Sequence, residues 1–189
     1  MKDILTMGRF PLTDDRAEPI DWMVLEEDPE GLLLVTCRVI AGAAFHGEDT
    51  GIIWRTSELR RWLNTAFFET AFHAEEQKRI LVTPSENKPN FHYRTGADDP
   101  TDDRIFLLSY DQAVRCFADD EARKARPTPY GEQHGAWAGI DGCSWWWLRT
   151  NARLGDCICR VRDLGSISVD GIVCTASGGV RPAMRIARP

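Results

Sequence analysis

The sequence predicts an α+β domain, in which antiparallel sheets pack with a few helices. Strand-like segments fill the first third of the chain, helical segments follow, and strand-like segments return at the end. This order lacks the strand–helix alternation of a parallel α/β sheet. The length of 189 residues fits a single domain, taken as residues 1–189. Seven Trp and eight Phe predict a core built on large rings.

The first predicted elements are strands that form a meander. A short strand covers residues 6–10, and a second covers residues 20–25. Alternate side chains of the second strand share one apolar face: Ile20, Trp22 and Val24. The Pro and Gly of residues 28–31 indicate a turn. The continuous apolar run 32–35 then suits a central strand.

Helices are predicted next. Thr56 or Ser57 caps the first one, because a hydroxyl oxygen accepts a hydrogen bond from the free N–H groups of the first turn. Four residues at positions i, i+3, i+4 and i+7 fall on one helical face: Leu59, Trp62, Leu63 and Ala66. A second helix is predicted over residues 74–81, where Glu75 and Glu76 favour the positive end of the helix dipole.

The middle of the chain combines a predicted loop, a strand and a third helix. Residues 83–103 contain Pro, Asn and Gly and predict a long irregular loop. The apolar run 105–108 predicts a buried strand. Ser109 and Gln112 have the spacing of a capping box, which opens the third helix. Its inward side chains are expected to be Ala113, Val114 and Phe117. A polar segment follows over residues 118–142.

Composition argues against several classes of function. The net charge of −6 disfavours a nucleic-acid partner, which needs a basic surface. No apolar run approaches the roughly 20 residues of a membrane-spanning helix. The first residues also lack the apolar region of a signal peptide. A cytoplasmic protein without a membrane span is therefore the expectation.

The six cysteines are expected to be free, buried thiols. None of them forms a C-x-x-C pair, so the spacings of zinc sites and of thioredoxin-like sites are missing. The acidic run 98–103 lacks the spacing and the Glu of a calcium-binding EF-hand and is interpreted as a solvated loop. The sequence therefore predicts no metal site and no cofactor.

Aromatic residues and arginines are concentrated in residues 143–186. We interpret this region as an aromatic frame strand, an irregular surface segment and a closing strand. Because side chains alternate along a strand, Trp146 is expected to face the side opposite to Trp145 and Trp147. There it packs against a neighbouring layer or, as the alternative, offers a platform on which a sugar stacks.

Arg149 and Arg181 stand beside these aromatic and apolar blocks. A guanidinium group carries five donors, so both are expected to bind backbone carbonyls or a carboxylate such as that of Asp103 or Glu58. A clamp for the carboxylate of a ligand is the alternative.

Between the two blocks, residues 157–162 alternate in character. Cys157, Cys159 and Val161 are expected to face inward, which presents Ile158, Arg160 and Arg162 to solvent. Arginine and isolated apolar residues suit protein recognition, and a merely solvated charged face is the alternative. The complete set of predicted ligand-binding residues is Trp146, Asn151, Arg153, Asp156, Ile158, Arg160, Arg162 and Asp163.

Ordered blocks of residues along the chain point to a family. They are Gly8 with 19–25, then 57–64, 67 with 71–72, 103–109, 128–130, 146–149 and 179–184. Through these blocks the chain resembles, nearly end to end, a bacterial family called domain of unknown function 6273. That family has no assigned activity.

The closing pattern of the family is similar to the C-type-lectin-like fold. Formylglycine-generating enzymes and the variable proteins of diversity-generating retroelements share this fold. The resemblance implies a single C-type-lectin-like domain of mixed antiparallel sheets with two to three helices. The family segment between the two end blocks is rich in Asn, Tyr and Ser, whereas residues 150–163 are not. The two end blocks match the family pattern, whereas the segment between them differs, as expected for a surface segment that varies to bind different partners.

These observations lead to the hypothesis of a non-catalytic binding domain. It presents residues 150–178 to a protein or another macromolecule, as the variable protein of a diversity-generating retroelement does. The four histidines lie outside known catalytic motifs. Two alternatives stay open. One is a thiol-dependent oxidase-like enzyme with a reactive residue among Cys157, Cys159 and Cys174. The other is a structural appendage of a larger assembly. The oligomeric state is not predicted.

Overall fold

The structure is a computed structural model that describes residues 2–13 and 16–188. Its strands are β1 (Ile4–Thr13), β2 (Arg16–Asp28), β3 (Gly31–Thr36), β4 (Ala41–Ala43), β5 (Thr83–Asn87), β6 (Asp98–Asp103), β7 (Ile105–Phe106), β8 (Trp146–Asn151), β9 (Cys157–Val161), β10 (Ile167–Val173), β11 (Gly178–Val180) and β12 (Ala183–Ile186). Its α-helices are α1 (Glu58–Trp62), α2 (Phe68–Ala71), α3 (Ala74–Arg79), α4 (Tyr110–Arg115), α5 (Asp120–Arg123) and α6 (Pro129–Gln133).

Within these residues the strands form two five-stranded sheets and one hairpin. The first sheet has the order β1-β2-β3-β12-β7, and the second has the order β10-β9-β8-β11-β4. The hairpin consists of β5 and β6. Every strand pair is antiparallel except that of β8 with β11. The α+β class with mostly antiparallel sheets is therefore confirmed. One cluster of buried apolar side chains draws on both large sheets.

The N-terminal meander forms as predicted. The side chain of Trp22 is fully buried, and its Nε1 donates a hydrogen bond to the Met7 carbonyl at 2.8 Å. Gly8 has a φ of 73°, and a Cβ at this position would lie 2.6 Å from Cε1 of Phe72. Only glycine lets β1 approach the end of α2 this closely, since other residues rarely adopt positive φ.

The first predicted helix is confirmed at its start and differs further along. Ser57 caps α1, and its Oγ accepts a hydrogen bond from the Arg60 N–H at 3.2 Å. A π-helical turn (Leu63–Phe67) then joins α1 to α2. This turn holds more residues than an α-helical one and shifts the following face. Phe67 is buried as a result, and the expectation that Ala66 faces the core is wrong.

Residues 83–103 are irregular only between 88 and 97, because β5 and β6 on either side pair as a hairpin, which corrects the predicted loop. The carboxylate of Asp103 in β6 is fully buried. It accepts hydrogen bonds from Trp54 Nε1 at 2.9 Å, from Arg60 Nε at 2.6 Å and from Thr101 Oγ1 at 2.7 Å. The acidic run 98–103 is therefore a strand rather than a solvated loop. One of its carboxylates ties the hairpin to α1.

The third predicted helix begins with the predicted capping box. Ser109 Oγ accepts from the Gln112 N–H at 3.2 Å, and Gln112 Oε1 accepts from the Ser109 N–H at 3.0 Å. Ala113 and Phe117 are buried, but Val114 is 47% exposed, which corrects its predicted inward position. One residue beyond Ala113 lies about 100° around a helix, so Val114 leaves the buried face.

The polar segment 118–142 contains two further helices. Asp119 caps α5 through the Ala122 N–H at 2.8 Å, and Thr128 caps α6 through the Gly131 N–H at 3.0 Å. The expectation of two to three helices is therefore wrong, because side-chain caps start short helices where apolar periodicity is absent. None of the helices in the described part of the chain is long and apolar enough to cross a membrane.

Candidate functional site

All three consecutive tryptophans of the C-terminal region are buried. Trp145 is 8% exposed, and Trp146 and Trp147 are fully buried. Trp146 Nε1 donates to the Arg123 carbonyl at 3.2 Å, and Trp147 Nε1 donates to the Ala43 carbonyl at 2.9 Å. The prediction that Trp146 binds a ligand is corrected, since no part of its side chain reaches the surface. The layer-packing interpretation holds for this residue.

The guanidinium group of Arg181 covers the Trp146 ring. This group lies 5.1 Å from the centroid of the Trp146 ring and 5.4 Å from that of the Phe117 ring. It donates to the Thr36 carbonyl at 2.8 Å and to the Arg123 carbonyl at 3.2 Å. Burial lowers the pKa of Arg181 to about 10. The predicted structural role, satisfying backbone carbonyls, is confirmed for this arginine.

The segment between the two blocks is more buried than predicted. Asn151 is 4% exposed, and its Nδ2 donates to the Ile52 carbonyl at 2.6 Å. Ile158 is fully buried, and so is Cys159 on the opposite face of β9. The expectation that Asn151 and Ile158 are exposed to solvent is therefore corrected. Strict alternation fails for a strand that is covered on both sides.

Two predicted residues lie near the start of β9. Arg153 is exposed, and its guanidinium group lies 5.9 Å from the ring centroid of Tyr93. The Tyr93 hydroxyl donates to the Asp170 carboxylate at 2.5 Å. Asp156 is half-buried. Leu154, the residue after Arg153, is 57% exposed.

The other three predicted residues lie at the far end of β9. Arg160 is half-buried, because its guanidinium group stacks 4.8 Å from the ring centroid of Trp145. Arg162 is exposed and Asp163 is half-buried. Gly139 lies against Asp163 so closely that any Cβ would clash with the carboxylate. The loop around residues 137–142 therefore borders this end of β9.

That loop carries apolar side chains that sequence reasoning missed. Trp137 is 58% exposed, Ile140 is fully exposed, and Leu164 is 61% exposed. We define the Trp137 patch as Trp137, Ile140, Arg162, Asp163 and Leu164. The sequence did contain a signal for this exposure. Trp137 and Ile140 stand among polar residues and glycines, without the periodicity of a buried helix or strand.

Comparison with known proteins now adds one finding. A family model described as "Domain of unknown function (DUF6273)" matches residues 29–188. The chain belongs to this family. The match confirms the resemblance for the blocks from residue 57 onward, whereas Gly8 and residues 19–25 precede the matched range. No curated protein and no solved structure matches the chain.

The DUF6273 match covers most of the architecture but not all of the first sheet. Strands β1 and β2 precede residue 29, yet they form one side of that sheet. The matched range includes both frame blocks and the whole Trp137 patch. The patch therefore lies within the DUF6273 region itself.

The cysteines of this DUF6273 chain are free thiols. Burial raises the pKa of Cys157 and of Cys174, and it raises the pKa of Cys159 to about 12. A nucleophilic cysteine needs the opposite shift. These thiols therefore lack the electrostatic environment that the oxidase-like alternative predicts. Among the described residues, no group of His, Cys, Asp and Glu side chains is arranged to hold a metal ion.

Proposed function

We propose that this DUF6273 domain is a non-catalytic binding domain whose Trp137 patch contacts a protein partner. The observation that carries the proposal is the exposure of Trp137 and Ile140 in a loop whose Gly139 packs against Asp163, next to Arg162. Exposed apolar side chains grouped together and rimmed by charge mark interaction surfaces, whereas scattered ones do not. Tryptophan and arginine are also the residues that most often dominate binding energy.

The chemistry of the patch favours a protein over other macromolecules. Nucleic acid requires a positive surface, while the chain carries a net charge of −6 and the patch contains one cation and one anion. An interface core of aromatic and aliphatic side chains with a charged rim is typical of protein partners. The proposal moves the centre of the predicted surface from Ile158 to the adjoining loop.

The test begins with affinity capture on the immobilised domain, followed by measurement of the dissociation constant with the purified partner. Trp137→Ala and Arg162→Glu are expected to weaken that complex at least about tenfold, because both side chains lie in the patch. Their melting temperatures should stay close to that of the wild type, since exposed substitutions change stability by only about 0.5 kcal/mol.

A matched pair of isoleucines controls for non-specific adhesion. Ile140→Ala removes a fully exposed side chain within the patch, and Ile4→Ala removes one that is 60% exposed on β1. Only Ile140→Ala should weaken the complex. Equal binding by all of the variants would mean that the partner uses another surface, and the proposal would be wrong.

The proposal includes a C-type-lectin-like core and the role of a variable protein of a diversity-generating retroelement. It is supported by the direct pairing of the two frame blocks, in which Gly179 of β11 pairs with Trp146 of β8. Variation between the blocks would be tolerated at exposed positions such as Arg153 and Arg162. A neighbouring reverse transcriptase gene with a near-copy of the 3′ coding end, differing at adenines, is the expected genomic sign. A genome without it would remove this part of the proposal.

A further inference from the structure

A polar cavity of about 220 Å³ lies where β5, α4 and β8 meet, and it shares no residue with the Trp137 patch. Its lining includes Arg149, Asp111, Phe91 and Tyr110. We infer that this cavity is a binding site for a free α-amino acid with an apolar side chain. The cavity combines one buried cation, one acid without an ion pair among the described residues, and an aromatic wall.

The cation is Arg149, which is only 6% exposed. Its Nη1 donates to the Leu107 carbonyl and to Gln112 Oε1, both at 2.6 Å, and its Nη2 donates to the Glu86 carbonyl at 3.2 Å. Its Nε has no acceptor, and among the described residues no carboxylate lies within ion-pair distance.

Unlike Arg181, whose Nε donates to the Thr36 carbonyl, Arg149 keeps a buried Nε without an acceptor, and an unmet buried donor costs free energy. Burial lowers the pKa of Arg149 to about 10, so the group still carries its charge at neutral pH. Its planar, partly unused donor set matches the two oxygens of a carboxylate. Arg149 therefore recognises the acid end of the ligand, in the manner of the carboxylate clamp left open by the sequence.

The acid is Asp111, in the first turn of α4. The two other cations that line the cavity already have partners: Lys88 pairs with Glu86 at 2.8 Å, and Arg115 pairs with Glu26 at 2.6 Å. Asp111 has no such pair among the described residues. A ligand that carries an ammonium group next to its carboxylate satisfies both Arg149 and Asp111, whereas a simple dianion such as phosphate is repelled by Asp111.

The wall of the cavity sets the third requirement. The rings of Phe91 and Tyr110 lie 5.3 Å apart, and Phe91 is 51% exposed. They offer an apolar surface for a ligand side chain. The volume is below the roughly 300–1,000 Å³ of sites for drug-sized ligands, which favours a compact molecule.

Isothermal titration calorimetry on the full chain tests the inference with L-phenylalanine and L-leucine at neutral pH. Two analogues dissect the recognition: phenethylamine lacks the carboxylate, and 3-phenylpropanoate lacks the ammonium group. L-phenylalanine is expected to bind at least about tenfold more tightly than either analogue, because each lost charge-assisted contact is worth that factor or more. Inorganic phosphate serves as the anion-only probe and is expected not to bind.

Asp111→Asn is the decisive variant, because Asp111 is exposed and its loss should not unfold the domain. It should weaken L-phenylalanine at least about tenfold and leave 3-phenylpropanoate unchanged or more tightly bound, because the substitution removes a charge that repels an anion. Glu132→Gln is the matched control, since Glu132 is also a first-turn acid but does not line the cavity. The inference is overturned if no amino acid binds at millimolar concentration, if phosphate binds as well as L-phenylalanine, or if Asp111→Asn has no effect.

Discussion

At the scale of single residues, Arg181 shows how a buried cation is stabilised without an acidic partner. Arg181 is 1% exposed, and it is held by two carbonyl oxygens and two aromatic faces. Both kinds of contact depend on the flat shape of the guanidinium group, because a plane can stack on rings while its edges donate hydrogen bonds. Residue type and position were enough to predict this role from the sequence.

Arg181→Lys should therefore lower the free energy of unfolding by about 2–3 kcal/mol, although it keeps the charge. The ammonium group cannot reach both carbonyls, and it loses the stacking. Chemical denaturation measures the change. Arg104→Lys is the control, because Arg104 also stacks on a ring, that of Phe68 at 5.3 Å, but lies at the surface. It should change stability by less than about 0.5 kcal/mol.

At the scale of elements, the sequence predicted those whose signal is local. The meander, the Ser57 cap and the Ser109 capping box follow from neighbouring residues, and all three are confirmed. The hairpin of β5 with β6 was missed because Asp and Pro disfavour strands. The hairpin is held in place by Trp54 and Arg60, which are distant in sequence and donate hydrogen bonds to Asp103. The π-helical turn was missed because the apolar face of this helix was assigned from regular α-helical spacing, which the turn interrupts.

The parallel pair of β8 with β11 depends on a glycine that has no room for a side chain. A Cβ at Gly178 would clash with the Trp145 ring and lie 2.5 Å from Nε1 of Trp147. Gly178→Ala should therefore destabilise the domain by about 1–3 kcal/mol, the usual range for overpacking. At Gly155 the nearest atom lies 3.9 Å from such a Cβ. Thermal unfolding should show Gly155→Ala to be neutral or slightly stabilising, and equal losses in both variants would contradict the packing argument.

At the scale of the whole molecule, the sequence predicted the fold class and the family better than the site. The predicted exposure of Asn151 and Ile158 was wrong because exposure depends on what covers a strand. The groups that cover a strand, such as the Phe117 ring beside β8, are distant in sequence, so no local sequence pattern predicts them. The residues of the Trp137 patch, and those that line the polar cavity at Arg149, likewise come together from separate parts of the chain.

Buried thiols give the whole molecule a predictable response to alkaline pH. Burial raises the pKa of Cys159 from its ordinary 9.0 to about 12. Above pH 9 the unfolded chain releases this proton and the folded chain keeps it, so stability present below pH 9 is lost as pH rises towards 12. The free energy of unfolding should fall by about 1.4 kcal/mol per pH unit through this group.

Denaturation curves from pH 8 to about 10, recorded for the wild type and for Cys159→Ala, isolate that slope, because the buried arginines, whose lowered pKa values near 10 act in the opposite direction, contribute equally to both proteins. Cys159→Ala should make the slope shallower. Ile158→Val removes a buried methyl group from the same strand without a titrating atom, and it should shift stability equally at every pH. A slope unchanged in Cys159→Ala would show that other groups govern alkaline unfolding.

The position of β12 has a consequence for how the protein reaches its native state. This strand is contributed by residues 183–186, yet it lies between β3 and β7 inside the first sheet. Until it arrives, β3 and β7 have unpaired edges, and such edges invite pairing with other chains. Contacts this distant in sequence also slow folding. On the ribosome, the first sheet closes only after the frame and everything between its two blocks has been synthesised, so protection of the nascent chain matters most at that stage.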